Sequence, residues 1–216
     1  DGTRLTLVGD MNTPIPGGGL GNFVGFTRAK FNGSTLTFLG AGTNNYSGVF
    51  EFNNGGFTKL VDSTSQFPGG TSFLRVTDFA RQDGLLGLVA FDGAGTALQG
   101  LLTYTSGSFT LIATNGGAMP GRPNRVYGYV NGLGFSGGEL VFTAQALSTV
   151  DSFSVTYLLK LPAGGTTPVV MVDENLAFPG IVGNASVSGF LIEPDGLYLN
   201  VANGSQRGIY KMGSAF

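Results

Sequence analysis

The stretch Asp10-Met-Asn-Thr-Pro-Ile-Pro-Gly-Gly-Gly19 returns three times in altered form, as Asp62-Ser-Thr-Ser-Gln-Phe-Pro-Gly-Gly70, Thr114-Asn-Gly-Gly-Ala-Met-Pro-Gly121 and Asp173-Glu-Asn-Leu-Ala-Phe-Pro-Gly180. Each copy follows a short apolar run, and the Pro-Gly pairs at 16/17, 68/69, 120/121 and 179/180 lie 52, 52 and 59 residues apart. A period of this size means that one supersecondary unit is copied and that no copy buries its apolar faces alone.

Aligning the copies on Pro-Gly exposes four short alternating runs per repeat, rich in Val, Leu, Phe, Thr and Tyr. No window of 11 or more residues has helical apolar spacing free of Gly or Pro, so the class is all-β. In the first repeat, residues 22–31 lead through Asn32-Gly33 into 35–39, and 48–52 lead through the turn at 53–56 into 57–61. Asn-Gly between apolar runs marks a hairpin, because type I′ turns need φ > 0 at both central residues. Asp83-Gly84, Ser106-Gly107, Gly137-Gly138, Gly164-Gly165 and Asp195-Gly196 read the same way.

The fourth repeat stops one run short, and a matching run, residues 4–8, stands before the first Pro-Gly loop. A closed ring accounts for this offset. The expectation is therefore a four-bladed β-propeller of four-stranded antiparallel blades, with the N-terminal strand closing the last blade. One domain over 1–216 is expected, with repeats at about 22–62, 72–113, 126–173 and 186–212 plus 3–8. The Pro-Gly loops and the loops between second and third runs are long in this reading. Both classes leave an up-and-down blade at the same end, which gives about eight variable loops there.

Composition narrows the chemistry. Eleven Lys and Arg against 13 Asp and Glu give a net charge of -2, no pull toward nucleic acid or anionic lipid. No run reaches 18 apolar residues, so membrane insertion is not expected. With 18 Phe among the 216 residues, the chain has the apolar material that a disordered Gly-rich chain lacks. It contains no His and no Cys, which removes the commonest general base and the usual zinc ligands. The expectation is a chain that is not an enzyme; a carboxylate-pair hydrolase is the weaker alternative. The chain begins at Asp1, as a processed form or a piece of a longer protein would.

Asn12-Thr-Pro-Ile-Pro-Gly-Gly-Gly19 with Gly48-Val-Phe50, and the later Gly208-Ile-Tyr210, resembles the repeats of secreted bacterial proteins of the PEP-CTERM-associated kind. Those proteins occur in cyanobacteria and planctomycetes and have no established biochemical function. The strand phrasing also resembles TolB-like propeller blades more loosely. The resemblance covers the whole chain, although the sorting tail is not in this sequence. It implies a secreted or cell-surface propeller acting as an interaction or structural module, with a protein or glycan partner, and it carries over no catalytic residue.

Candidate binding residues lie in the long loops: Asn44, Asn45 and Tyr46; Arg122, Arg125 and Tyr127, with Asn124; and Asn203 and Arg207, with Gln206. Planar amides and guanidinium groups beside aromatic rings suit a sugar, so a carbohydrate-binding propeller is the alternative function, although Trp is absent. Asp10, Asp62 and Asp173 share one repeat position. Each is expected to cap its own loop as an Asx-turn, with calcium as the one metal they could bind. Asp10-x-Asn12 and Asp173-Glu174-Asn175 are the richest oxygen clusters. Gly17 to Gly21 lacks the helix a phosphate loop needs. Asn32, Asn45, Asn184 and Asn203 head glycosylation sequons, and the Gly-rich, weakly charged chain leaves room for self-association.

Overall fold

The computed structural model describes residues 7–17, 19–93, 99–151 and 153–213, and all regular structure among them is strand. The first sheet holds β1 (Gly25–Asn32), β2 (Thr35–Ala41), β3 (Ser47–Asn53) and β4 (Gly56–Asp62) in that order. The second holds β5 (Phe73–Gln82), β6 (Leu85–Asp92), β7 (Gln99–Thr105) and β8 (Ser108–Thr114). In the third, β9 (Ala118–Met119), β10 (Arg122–Ser136), β11 (Glu139–Ser148), β12 (Ser154–Leu161) and β13 (Val169–Val172) follow one another. The fourth holds β14 (Ser186–Glu193), β15 (Gly196–Asn203) and β16 (Gln206–Met212). One antiparallel sheet per sequence repeat makes this a four-bladed β-propeller fold. Of the expected closing strand, residues 4–6 lie outside the described residues, and Leu7 and Val8 belong to no strand.

Turn chemistry explains the strand boundaries. Asn54-Gly55, Asp83-Gly84, Ser106-Gly107 and Gly137-Gly138 connect hairpins, and the first three have φ > 0 at both residues, from 48° to 89°. Gly137 and Gly138, at 58° and 83°, do the same. Glu193 pairs with Gly196, so Pro194 and Asp195, not Asp195-Gly196, are the central residues of that hairpin, and at Gly164-Gly165 only Gly164 has positive φ, at 69°. In the first hairpin Asn32 pairs with Thr35, so Gly33 and Ser34 are the central residues and only Gly33 has positive φ. That is the type II′ pattern, in which glycine takes the first central position.

The residue before each repeated proline anchors its loop. Ile15, Phe67, Met119 and Phe178 are all buried. The loop then folds back on itself, with Pro14 bridged to Asn22, Gln66 to Ser72 and Met119 to Arg122. In the third repeat this bridge lengthens into β9, a fifth strand the repeat pattern does not announce. The inner strands β1, β10 and β14 each carry a register shift against the next strand, where an extra residue bends the edge.

The chain forms two compact units. One takes in Asp1–Asp78 and Ala90–Ala97, the other Phe79–Val89 and Leu98–Phe216. The first is built on an aromatic core of Ile15, Phe23, Phe38, Tyr46 and Phe50. Phe23 meets Phe50 edge-on at 4.9 Å, so closely over the sheet that a methyl group at Gly40 would fall 2.5 Å from the Phe23 ring. The second unit has two aliphatic clusters, one centred on Leu101, Leu140, Phe142, Tyr157 and Leu159 and one on Leu158, Val187, Leu197, Leu199 and Val201. Within it β10 packs on β7 and β14.

The second-to-third-run loops are long in three blades only. Residues 42–46, 93–98 and 149–153 connect those strands, whereas β15 and β16 are joined by Gly204 and Ser205 alone. The expectation of about eight long loops is corrected accordingly. Gly204, with φ of 56°, supplies a tight hairpin where the sequence pattern suggests a loop over 202–206.

Candidate functional site

The ends of β10, β12 and β13 bring four charged side chains together at the loop end of the third blade. Arg122 opens β10 and Arg125 lies three residues further along it; Asp173 and Glu174 follow β13 directly. Arg122 pairs with Asp173 through Nη2 and Oδ2. Arg125 donates from Nη2 to Glu174 Oε1 at 3.1 Å and from Nη1 to the Phe153 carbonyl, also at 3.1 Å. Its guanidinium stands 5.5 Å from the centre of the Phe153 ring, a cation–π contact that fixes the plane of the fork.

Beneath these pairs lies Tyr157, fully buried in β12. Its hydroxyl faces Glu174 without forming a hydrogen bond of normal geometry. Tyr157 Oη, Arg122 Nε and Glu174 Oε2 are each buried and without a partner. Burial, reinforced by Glu174, pushes the Tyr157 hydroxyl up to about 12. Burial would also raise the Glu174 carboxyl, but the neighbouring Tyr157, its own backbone and Arg125 outweigh it and hold the carboxyl below its usual range. The site therefore sets two arginines against two carboxylates and is incompletely hydrogen-bonded, a combination most buried polar groups avoid.

Asp173 also shapes the loop it begins, because its Oδ1 accepts from the Asn175 amide at 3.0 Å. The same Asx geometry recurs at the equivalent positions. Asp10 Oδ1 accepts from the Asn12 amide at 2.9 Å and from Thr13 Oγ1 at 3.0 Å. Asp62 Oδ1 accepts from the Thr64 amide at 2.9 Å and the Ser65 amide at 3.1 Å. Hydrogen bonds from Thr13 and Asn12 keep the Asp10 carboxyl below its ordinary range. Among the described residues no group of three or more His, Cys, Asp or Glu side chains gathers as metal ligands would.

The other loop candidates have local employment. Tyr46 is turned into the core of the first unit, 8% exposed, and donates to Asp62 Oδ2 at 2.8 Å; its ring closes the loop 42–46 from beneath. Asn44 and Asn45 are exposed at the head of that loop with φ of 56° and 60°, the left-handed region Asn tolerates. Tyr127 is buried, with a hydroxyl that lacks a partner and is pushed up to about 12 by burial. Asn203 Nδ2 donates to the Val182 carbonyl, and Gln206 Oε1 accepts from the Val182 amide at 2.9 Å. Arg207 is exposed on β16. Tyr157 and Phe153 are members of the site that the loop pattern misses, since one sits in β12 and the other directly before it.

No protein-family model matches the sequence, and no curated protein matches it. Among solved structures, a chain in a Saccharomyces cerevisiae assembly of Dbp5 with Nup159, Gle1, IP6 and ADP is similar over 87% of this chain and 50% of that one. The identity is 16% and the TM-score 0.38. This chain thus spans half the length of that chain, and a likeness at that level carries no argument about function.

Proposed function

We propose that this chain is a non-enzymatic interaction module, exported or held at a cell surface, whose working end is the loop end of the third blade. One observation carries the reading: the Arg122, Arg125, Asp173, Glu174 cluster keeps Arg122 Nε buried without a partner and Tyr157 against Glu174 short of a well-formed hydrogen bond, so unused donor capacity stands where loops converge. A β-propeller fits such a role, because its loops vary without disturbing the sheets. The resemblance of the Pro-Gly repeats to those of exported bacterial proteins supports the location.

A glycan partner is the second reading, favoured by the Phe153 ring, 42% exposed beside the cluster, which offers an apolar face next to polar atoms. Parallel glycan and peptide arrays, probed with the wild-type chain and with Arg125→Ala, test both readings. Hits that disappear in Arg125→Ala are expected; silence on both arrays, or hits indifferent to Arg125, would overturn the assignment of this end.

A further inference from the structure

We propose that Arg122, Arg125 and Tyr157 form a recognition site for an acidic peptide segment, and that the chain's own Asp173-Glu174 occupies it as a displaceable latch. This rests on reading the loop end of the third blade as the working end, and it names the partner chemistry.

The cis occupant fills the site poorly. A guanidinium offers a planar fork of five donors that suits a carboxylate side-on, yet Arg125 reaches Glu174 through one nitrogen and one oxygen. Arg122 Nε remains buried without a partner, and Tyr157 and Glu174 face each other without a well-formed hydrogen bond. The cause is tethering. Asp173 and Glu174 directly follow β13, and Asp173 is also committed to the Asx-turn with Asn175. Two adjacent carboxylates so constrained cannot both turn side-on, whereas a separate peptide carries no such constraint.

The arginines are held ready for an occupant. Phe153 supports the Arg125 guanidinium through its ring and its carbonyl, and Arg122 Nη1 donates to the Gly121 carbonyl at 3.3 Å. Holding a fork in place before binding removes part of the ordering cost of recognition. The rest of the connection is pinned independently: Val182 to Asn203 and Gln206, and the Pro179 carbonyl to the Tyr210 hydroxyl at 2.7 Å. Release of Asp173-Glu174 therefore frees the near part of the loop and leaves the far part seated. A tethered occupant competes at an effective concentration of about millimolar, so the latched chain binds an external peptide weakly and the unlatched chain binds it well.

The test uses a fluorescent, end-blocked peptide of residues 172–177, Val-Asp-Glu-Asn-Leu-Ala, and a neutral version with Asn and Gln for its acids. Asp173→Asn/Glu174→Gln is expected to bind the acidic peptide about tenfold or more tighter than wild type, by removal of the internal competitor. Adding Arg125→Ala should abolish that binding, and the neutral peptide should not bind. A folded double variant that fails to bind, binds both peptides equally, or still binds without Arg125 overturns the proposal. Succinate competing as strongly per molecule as the peptide would overturn the peptide as the source of the carboxylates. Should the double variant not fold, Glu174→Gln alone must gain about threefold, and no gain is a refutation. Arrays silent for the wild type and for a double variant that binds the peptide would reject the module reading alone; array hits with no latch effect would reject the latch alone.

Discussion

Asp62 and Asp173 occupy the same position of the repeat and begin the same turn, yet their surroundings differ in how completely they are satisfied. Asp62 has no exposed surface and accepts from Tyr46 at 2.8 Å, Lys59 at 2.7 Å, Thr64 Oγ1 at 2.7 Å and two backbone amides. Asp173 accepts from Arg122 and Asn175 only, and next to it Tyr157, Glu174 and Arg122 each keep an unpartnered atom. A shared repeat position thus fixes the backbone turn and leaves the side chain's environment open. Where that environment is saturated the carboxylate belongs to the fold, and where it is short of partners capacity for a ligand remains.

The sharpest break of this comparison is removal of each carboxylate in turn. Asp62→Ala strands the Tyr46 hydroxyl in the core and the Lys59 ammonium beside it, and should cost about 3 kcal/mol of unfolding free energy. Asp173→Ala loses a single-contact ion pair whose arginine side chain is 34% exposed, and should cost about 1 kcal/mol. Urea unfolding followed by circular dichroism measures both. Equal losses would mean that the two sites are equally structural.

Acid sharpens the contrast. Burial would raise the Asp62 carboxyl, but hydrogen bonds from Lys59, Thr64 and Tyr46 outweigh it and bring it down to about 2. A carboxyl with a depressed folded value stabilises the fold above its unfolded value near 3.8 and loses that contribution as the pH falls through 2. The stake is about 2 kcal/mol. Melting curves of wild type and Asp62→Ala should therefore draw together between pH 4 and pH 2, by about the same amount. A gap that stays constant to pH 2 would show that Asp62 acts by packing rather than by charge.

The fold was readable because strand alternation and turn residues are local signals. Apart from residues 4–8, the runs read from the sequence coincide with the strands to within a few residues, and Asp83-Gly84 and Gly137-Gly138 turn where their backbone demands. The slips have local causes too: Gly33 took the first central position in place of Asn32, Pro194 and Asp195 formed the turn expected at Asp195-Gly196, and Gly204 closed a hairpin where a loop was expected. The site was legible only in pieces. The sequence singles out Arg122 and Arg125, and separately Asp173-Glu174-Asn175, but they meet across 49 and 51 residues, and no periodicity encodes such a pairing. Tyr157 was silent because it reads as an ordinary strand aromatic. Tyr46 looked like a loop aromatic, yet the carboxylate beneath it turned it inward.

Those two tyrosines give the smallest and most discriminating test. Both hydroxyls are raised by burial next to a carboxylate, but only Tyr46 donates a formed hydrogen bond, to Asp62. Tyr46→Phe removes a partner from a buried ion and should cost about 1.5 kcal/mol. Tyr157→Phe removes a buried hydroxyl with no partner, whose desolvation is uncompensated, and should be neutral or stabilise by up to about 1 kcal/mol. A loss at Tyr157 as large as that at Tyr46 would mean that its hydroxyl is satisfied in solution. The two loop ends would then be equally complete, and the difference between Asp62 and Asp173 would no longer mark a place for a ligand.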